Sequence, residues 1–170
     1  MGTPRKSKIS NHPEHSNRGF SLIELLVVVA VILIIAAIAI PNFIKSKIRA
    51  NEAAAVHSLR NITTAEVVYT TTYNIGYAPA LANLGGTGVT VDQNNAALID
   101  DVLAGGVKSG YIFLYAVTAT DPLGNPATFT VNADPQGVGY SGQRHFYVDQ
   151  SDVIRENDSA PAGPNDPPLS

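Results

Sequence analysis

The hydrophobic and polar positions of the chain first define a long apolar segment near the N-terminus. Residues 25–40 contain no polar side chain, and the run extends back to Phe20 with only Ser21 and Glu24 interrupting it. A helix of about 20 such residues is about 30 Å long, which matches the hydrocarbon thickness of a bilayer. The pattern therefore predicts a membrane-spanning helical segment over residues 20–41.

The helical pattern continues beyond Pro41. Apolar residues recur at spacings that place them on one helix face: Ile48, Ala55, Leu59, Ile62, Tyr69 and Tyr73. Proline removes one backbone hydrogen bond, to the carbonyl of Ala37, and is expected to kink the helix rather than end it. We therefore predict one helix over residues 20–73, about 80 Å long at the standard rise and amphipathic in its second half.

The rest of the chain has the pattern of a small mixed domain over residues 74–155. A short helix is predicted at residues 92–103, with Asp92 as its N-cap. Apolar and β-branched runs bounded by turn residues predict strands at 111–118, 127–132 and 144–148, and a short fourth at 153–154. Strands in series with short turns favour an antiparallel meander packed on the long helix, an α+β architecture.

The last segment, residues 156–170, has a different composition. It holds four prolines among its last ten residues and almost no large apolar side chains. Such a segment lacks the apolar surface that a packed element needs, so we expect a mobile tail or one laid along the surface.

Composition and charge exclude several classes of function. The chain has no cysteine, which excludes disulfide scaffolds, cysteine-ligated metals and thiol catalysis. Residues 1–19 carry a charge of +3 and the remainder −6, and so acidic a body is a poor general binder of nucleic acid. No motif positions a hydrolase triad or a phosphate-binding loop, and we predict that the protein is not an enzyme.

Glu24 is the one ionisable side chain inside the apolar segment. A charge in lipid costs about 2–3 kcal/mol near the centre of a span, and no basic residue lies within a helical turn of Glu24. A position at the headgroup boundary would lower that cost. Otherwise its partner comes from another chain, or from a new amine such as the one that cleavage between Gly19 and Phe20 would create.

Residues 18–25, Arg-Gly-Phe-Ser-Leu-Ile-Glu-Leu, resemble the processing site of type IV prepilins and type II secretion pseudopilins. The resemblance implies that a prepilin peptidase removes a cytoplasmic leader, residues 1–19, and N-methylates Phe20. It also implies that Glu24 pairs with the Phe20 amine of a neighbouring subunit in a homopolymeric filament. A pilin-like fold, an inner-membrane location with an extracytoplasmic head, and an assembly platform with its ATPase as partners are further expectations from the resemblance.

A second, weaker resemblance concerns calcium. Residues 121–126, Asp-Pro-Leu-Gly-Asn-Pro, are similar to a loop of major pseudopilins that precedes a calcium-binding acidic loop. Asp121, Asp134, Asp149 and Asp152 offer the oxygen ligands that calcium takes. The alternative is ordinary turn chemistry on an acidic surface. No other cofactor is predicted.

Three functions remain open from the sequence. The first is a structural subunit of a type IV pilus, assembled through Phe20, Glu24 and Pro41. The second is a major pseudopilin of a periplasmic type II secretion pseudopilus, which the residue 121–126 loop favours and the proline-rich tail does not. The third is a monomeric, membrane-anchored binding module, for which Glu24 would be dispensable.

Overall fold

The computed structural model describes residues 20–86 and 90–169. The chain divides into two compact units between Ile40 and Pro41. Helix α1, Leu22–Tyr73, contains Pro41 and continues through it, as the sequence predicts. The predicted leader, residues 1–19, and with it Gly19, lies outside the described residues.

The part of α1 in the first unit is apolar on every side and has almost no protein around it. Its large side chains are exposed throughout, and α1 is the one described helix long and apolar enough to cross a membrane by length and composition. A soluble domain would cover such a surface with its own chain, and this unit does not.

The second unit contains a five-stranded antiparallel sheet in which each strand pairs with the next in sequence. The strands are β1 Val107–Lys108, β2 Tyr111–Thr120, β3 Pro126–Pro135, β4 His145–Asp149 and β5 Arg155–Asn157. The predicted meander and the α+β class are confirmed. The predicted fourth strand lies two residues later than expected, and the two-residue β1 was not predicted.

The core of the second unit lies between α1 and one face of the sheet. On α1 the predicted apolar face is buried at Ala55, Leu59, Ile62 and Tyr69. Alternate residues of β2, β3 and β4 face it: Tyr111, Phe113, Phe129, Val131, Ala133, Phe146 and Val148. Two aromatic rings stack across β2 and β3, with 5.7 Å between the centroids of Tyr115 and Phe129. The period-two pattern therefore placed the buried face correctly.

The segment between α1 and β1 differs from its prediction. Two short helices form, α2 Leu81–Leu84 and α3 Asp101–Ala104, in place of one helix over residues 92–103. The backbone N–H groups of Ala96 and Leu98 donate to carbonyls of Asn83 and Leu84 rather than to their own helical turn. Asp100, not Asp92, caps α3. Long-range backbone pairing has here replaced local helix formation.

The C-terminal segment is held against the sheet, which is the second of the two arrangements we expected, a tail laid along the surface. The Asn132 side chain donates to the Ala162 carbonyl at 2.7 Å, and Ala162 is buried. The side chain of Arg155 donates to the Asp166 carbonyl, and the Leu169 N–H donates to the Ile154 carbonyl. Polar contacts to the backbone hold this segment together with the packing of Ala162 and Leu169, and its composition did not reveal the polar contacts.

The loop before β4 packs closely against the core at Gly142. Tyr111 is fully buried, and its hydroxyl donates to the Arg144 carbonyl at 2.8 Å. Gly142 lies directly against that hydroxyl, so a Cβ atom at this position would collide with the Tyr111 Oη and Cζ atoms. The ring cannot move away without giving up its hydrogen bond and its packing.

We expect Gly142→Ala to lower the free energy of unfolding by about 1–3 kcal/mol, the usual cost of overpacking a core. Thermal unfolding of the detergent-solubilised chain measures the change. Gly137→Ala is the matched control, because a Cβ atom there meets nothing closer than 3.8 Å. Equal melting temperatures for the two variants would contradict the role of Gly142.

Candidate assembly site

The N-terminus of α1 brings together two residues of the predicted processing motif. The Ser21 backbone N–H donates to Glu24 Oε2 at 3.0 Å, while the Ser21 carbonyl accepts the first helical bond from Leu25. Ser21 is therefore the N-cap, and Glu24 reaches back to it as in a capping box. A carboxylate in the first turn also interacts favourably with the helix dipole.

Glu24 thus has a partner within its own chain, which the sequence prediction missed. A search for charged partners overlooks this bond, although the Ser-x-x-Glu spacing is its sequence signal. Both Glu24 and the neighbouring Phe20 are exposed, Phe20 at 86%. The intermolecular pairing of Glu24 with a Phe20 amine stays a prediction, as does a role for Pro41 in assembly.

The exposed apolar surface around this cap is extensive. Every large aliphatic side chain from Leu22 to Ile40 is at least 46% exposed. At about 25 cal/mol per Å² of apolar area, covering a surface of this kind is a strong driving force for insertion into lipid or for association with similar helices.

The second half of α1 is fixed to the sheet by an ion pair whose carboxylate is buried and whose guanidinium is partly exposed. Glu52 is 5% exposed, and its carboxylate accepts from the backbone N–H groups of Gln143 and Arg144. The Arg144 guanidinium donates to the same carboxylate through Nε at 3.0 Å and to Glu156 at 2.6 Å. Because each buried charge has several partners, the cluster joins α1, the loop before β4, and β5.

Glu66 is a second buried carboxylate on α1, with a different environment. Its Oε2 atom accepts from the Ala78 N–H at 2.8 Å, whereas Oε1 has no hydrogen-bond partner in the described part of the chain. Burial raises the pKa of Glu66 from an ordinary 4.5 to about 7, opposed in part by the hydrogen bond from the Ala78 N–H. No cation neutralises Glu66 among the described residues.

The four aspartates considered for calcium are engaged elsewhere. Asp121 accepts from the backbone and side chain of Asn125, which lower its pKa. Asp134 bonds His145, Asp149 bonds Ser151, and Asp152 accepts from a threonine of α1. Within residues 20–86 and 90–169, no three acidic or histidine side chains are placed to hold one metal ion. Calcium binding stays a prediction.

These features are those of a membrane-anchored α+β protein: an apolar helix of membrane length, a carboxylate in its first turn that bonds the N-cap residue, and an α+β head. Residues 15–40 match the family model for the prokaryotic N-terminal methylation motif. The chain is 35% identical over 135 residues to the type IV major pilin protein PilA of Myxococcus xanthus, covering 72% of this chain and 61% of that protein.

Over a shorter stretch of 52 residues, the chain is 40% identical to the type IV wide pilus major component PilA4 of Thermus thermophilus. That alignment covers 31% of this chain and 40% of the relative. No solved structure gives a significant match. The motif and the relatives make this chain similar to type IV pilins, and the chain spans less than two thirds of the length of each relative it matches.

Replacing Glu66 by glutamine tests the cost of its burial. Below pH 4.5 the carboxyl is protonated in the folded and unfolded states, and between pH 4.5 and 7 only the folded state keeps the proton. Stability is therefore lost as pH rises through this window, by about 3 kcal/mol in full. We expect Glu66→Gln to raise the melting temperature at pH 8 and to change it little at pH 4.

The control for this prediction is Glu52→Gln, the same substitution at the other buried glutamate of α1. It removes the charge that Arg144 pairs with, so it is expected to destabilise the fold at pH 8 by about 1–3 kcal/mol. If both substitutions lower the melting temperature at pH 8, the burial cost assigned to Glu66 is wrong.

Proposed function

We propose that this protein is a structural subunit of a type IV pilus. A prepilin peptidase would cleave it between Gly19 and Phe20, and the mature chain would polymerise through residues 20–41. The observation that carries the proposal is the exposed apolar helix segment over residues 22–40, which no described residue covers. Lipid would cover it before assembly, and the same segment of other copies would cover it in the filament.

Several further features support this proposal. The apolar segment follows a basic stretch of residues 1–19, as expected for a cytoplasmic leader. The relatives are named as major pilus components, which favours a major over a minor subunit. A meander packed on a long helix also suits a structural role. An assembly platform and its ATPase would be the partners during polymerisation.

Two alternatives make different use of the same helix. A pseudopilin would form a short periplasmic fibre, and the turn at residues 121–126 is the feature that favours it. A monomeric binding module would keep the helix in the membrane permanently. The relatives favour the pilus over both alternatives, because each is named for a pilus.

The first measurement is the mass of the N-terminal peptide, taken in parallel from sheared surface material and from membranes. We expect N-methylated Phe20 as the first residue in the sheared fraction. The same peptide confined to membranes would support the pseudopilin. An intact leader in both fractions would contradict processing and favour the monomeric module.

The second measurement separates the charge of Glu24 from its capping bond. Glu24→Gln keeps an oxygen that can accept from the Ser21 N–H, whereas Glu24→Ala loses both that acceptor and the charge. If assembly depends on an ion pair, both variants should insert into the membrane and yield few sheared filaments. Near-normal filament yield from Glu24→Gln, with loss only in Glu24→Ala, would assign the capping bond rather than the charge to assembly.

A further inference from the structure

The charges of the second unit are distributed unevenly along the chain. Residues 41–60 carry four basic side chains and one acidic one, a net charge of +3. Residues 61–170 carry three basic side chains and eleven acidic ones, a net charge of −8. One short stretch of α1 is therefore strongly positive in an otherwise negative unit.

Three of these cations share one exposed face of α1, which we name the cationic stripe: Lys45, Arg49 and Arg60. Positions four and eleven residues apart lie within about 40° of one another around a helix of 3.6 residues per turn. None of the three forms an ion pair with a described residue. By contrast, Lys47 points to the opposite side of the helix and lies over the Tyr140 ring at 5.2 Å.

The cationic stripe borders two shallow grooves that share Arg49 and Arg144. Apolar side chains of α1 and of the C-terminal segment line them: Ile48, Ala53, Val56 and Leu169. Arg144 is already neutralised by Glu52 and Glu156, and Asp158 lies at one end. The two grooves thus combine apolar side chains with cations that have no ion pair within the described part of the chain, and protein interfaces combine apolar and polar groups in this way.

We propose that the cationic stripe is a docking surface for the acidic head of a second copy of this chain. The inference rests on the proposed function. It adds a second contact between copies of the chain, besides the one through residues 20–41. Charge complementarity supports the choice of partner, because residues 61–170 of the same chain carry a net charge of −8. Opposite charges across such a contact fix the axial register of neighbours and suppress wrong pairings.

The axial extent of the cationic stripe argues against a lipid surface as its partner. Cations just beyond a membrane span often contact anionic headgroups, in a layer of about 5–8 Å on each side of the bilayer. Arg60 lies nineteen residues beyond Pro41, which is about 28 Å along a helix. A headgroup layer that reaches Lys45 therefore does not reach Arg60, whereas a neighbouring protein lying along α1 contacts both.

The acceptor is a different part of the same chain, because a polymer is built from head-to-tail contacts between two unlike surfaces. Four exposed aspartates of the described residues have no ion pair: Asp92, Asp101, Asp152 and Asp158. Asp152 and Asp158 border grooves along α1 itself. This leaves Asp92 and Asp101, between α2 and β1, as the complementary surface.

The test uses the full-length chain expressed in cells that assemble it, with sheared filaments and processed membrane-bound subunit measured side by side. We expect Arg60→Glu and Arg49→Glu each to lower the sheared filament yield at least about tenfold, since like charges across an interface cost several kcal/mol. The amount of processed subunit in the membrane should stay unchanged. Lys47→Glu, the matched control on the same helix, should assemble as the unaltered chain does.

A second pair of substitutions tests the acceptor. Asp92→Asn with Asp101→Asn removes two charges but keeps side-chain oxygens for the turn bonds that these residues accept from Asn94, Asn95 and Gly86. We expect this double variant to lose filaments as the Arg60 variant does. Full yield from the double variant would overturn the choice of acceptor.

Other outcomes bear on the stripe as a whole. Normal yield from both arginine variants would overturn the docking surface and leave the pilus proposal standing. A low filament yield from Lys47→Glu together with a normal yield from Arg60→Glu would overturn the second copy as the partner. It would point to a lipid surface, because only the cations next to the membrane would then matter. Absence of filaments from the unaltered chain would contradict the proposed function itself. Melting temperatures near that of the unaltered chain would show that the variants fold.

Discussion

The apolar segment of α1 is the constraint on which the other features depend. Residues 22–40 are aliphatic at every position except Glu24, their large side chains are exposed in every direction, and no described residue covers them. Water is therefore excluded as the lasting environment of this segment, and only lipid or other apolar helices remain. Such a segment can leave a membrane only for another apolar environment. Because apolar contacts are not directional, the polar groups then determine which neighbours fit.

In the second unit, buried carboxylates on α1 help to determine which segments pack against the helix. Glu52 and Glu66 lie on the face of α1 that packs on the sheet, fourteen residues apart. Glu52 is matched by Arg144 and two backbone N–H groups, whereas Glu66 retains an oxygen without a partner and a pKa of about 7. The first contact specifies which loop packs against α1. The second costs stability at neutral pH, because the charged carboxylate is buried there with no cation beside it among the described residues.

The sequence predicted the second half of α1 and the meander from the period of their apolar residues, and it predicted the membrane-length segment from an unbroken apolar run. It did not predict the short helices α2 and α3, whose backbone groups pair across distant residues, or the packing of the C-terminal segment through Asn132 and Arg155. Of the candidate assembly site, Phe20 was predicted from the processing motif, and Glu24 was predicted because it is the one ionisable side chain in the apolar segment. The hydrogen bond between Glu24 and the Ser21 N–H could have been predicted from the Ser-x-x-Glu spacing. It was missed because only charged partners of Glu24 were considered.

The capping bond bears on how Glu24 could serve both membrane insertion and assembly. An exposed cap of this kind contributes about 1 kcal/mol, whereas a buried carboxylate with no partner costs several. Within a single chain the Ser21 N–H satisfies one oxygen of Glu24 without any neighbour. A neighbouring amine would add a full charge to a carboxylate already held in the first turn, so little side-chain freedom would be lost on pairing. The local cap would therefore orient Glu24 for an intermolecular partner rather than compete with one.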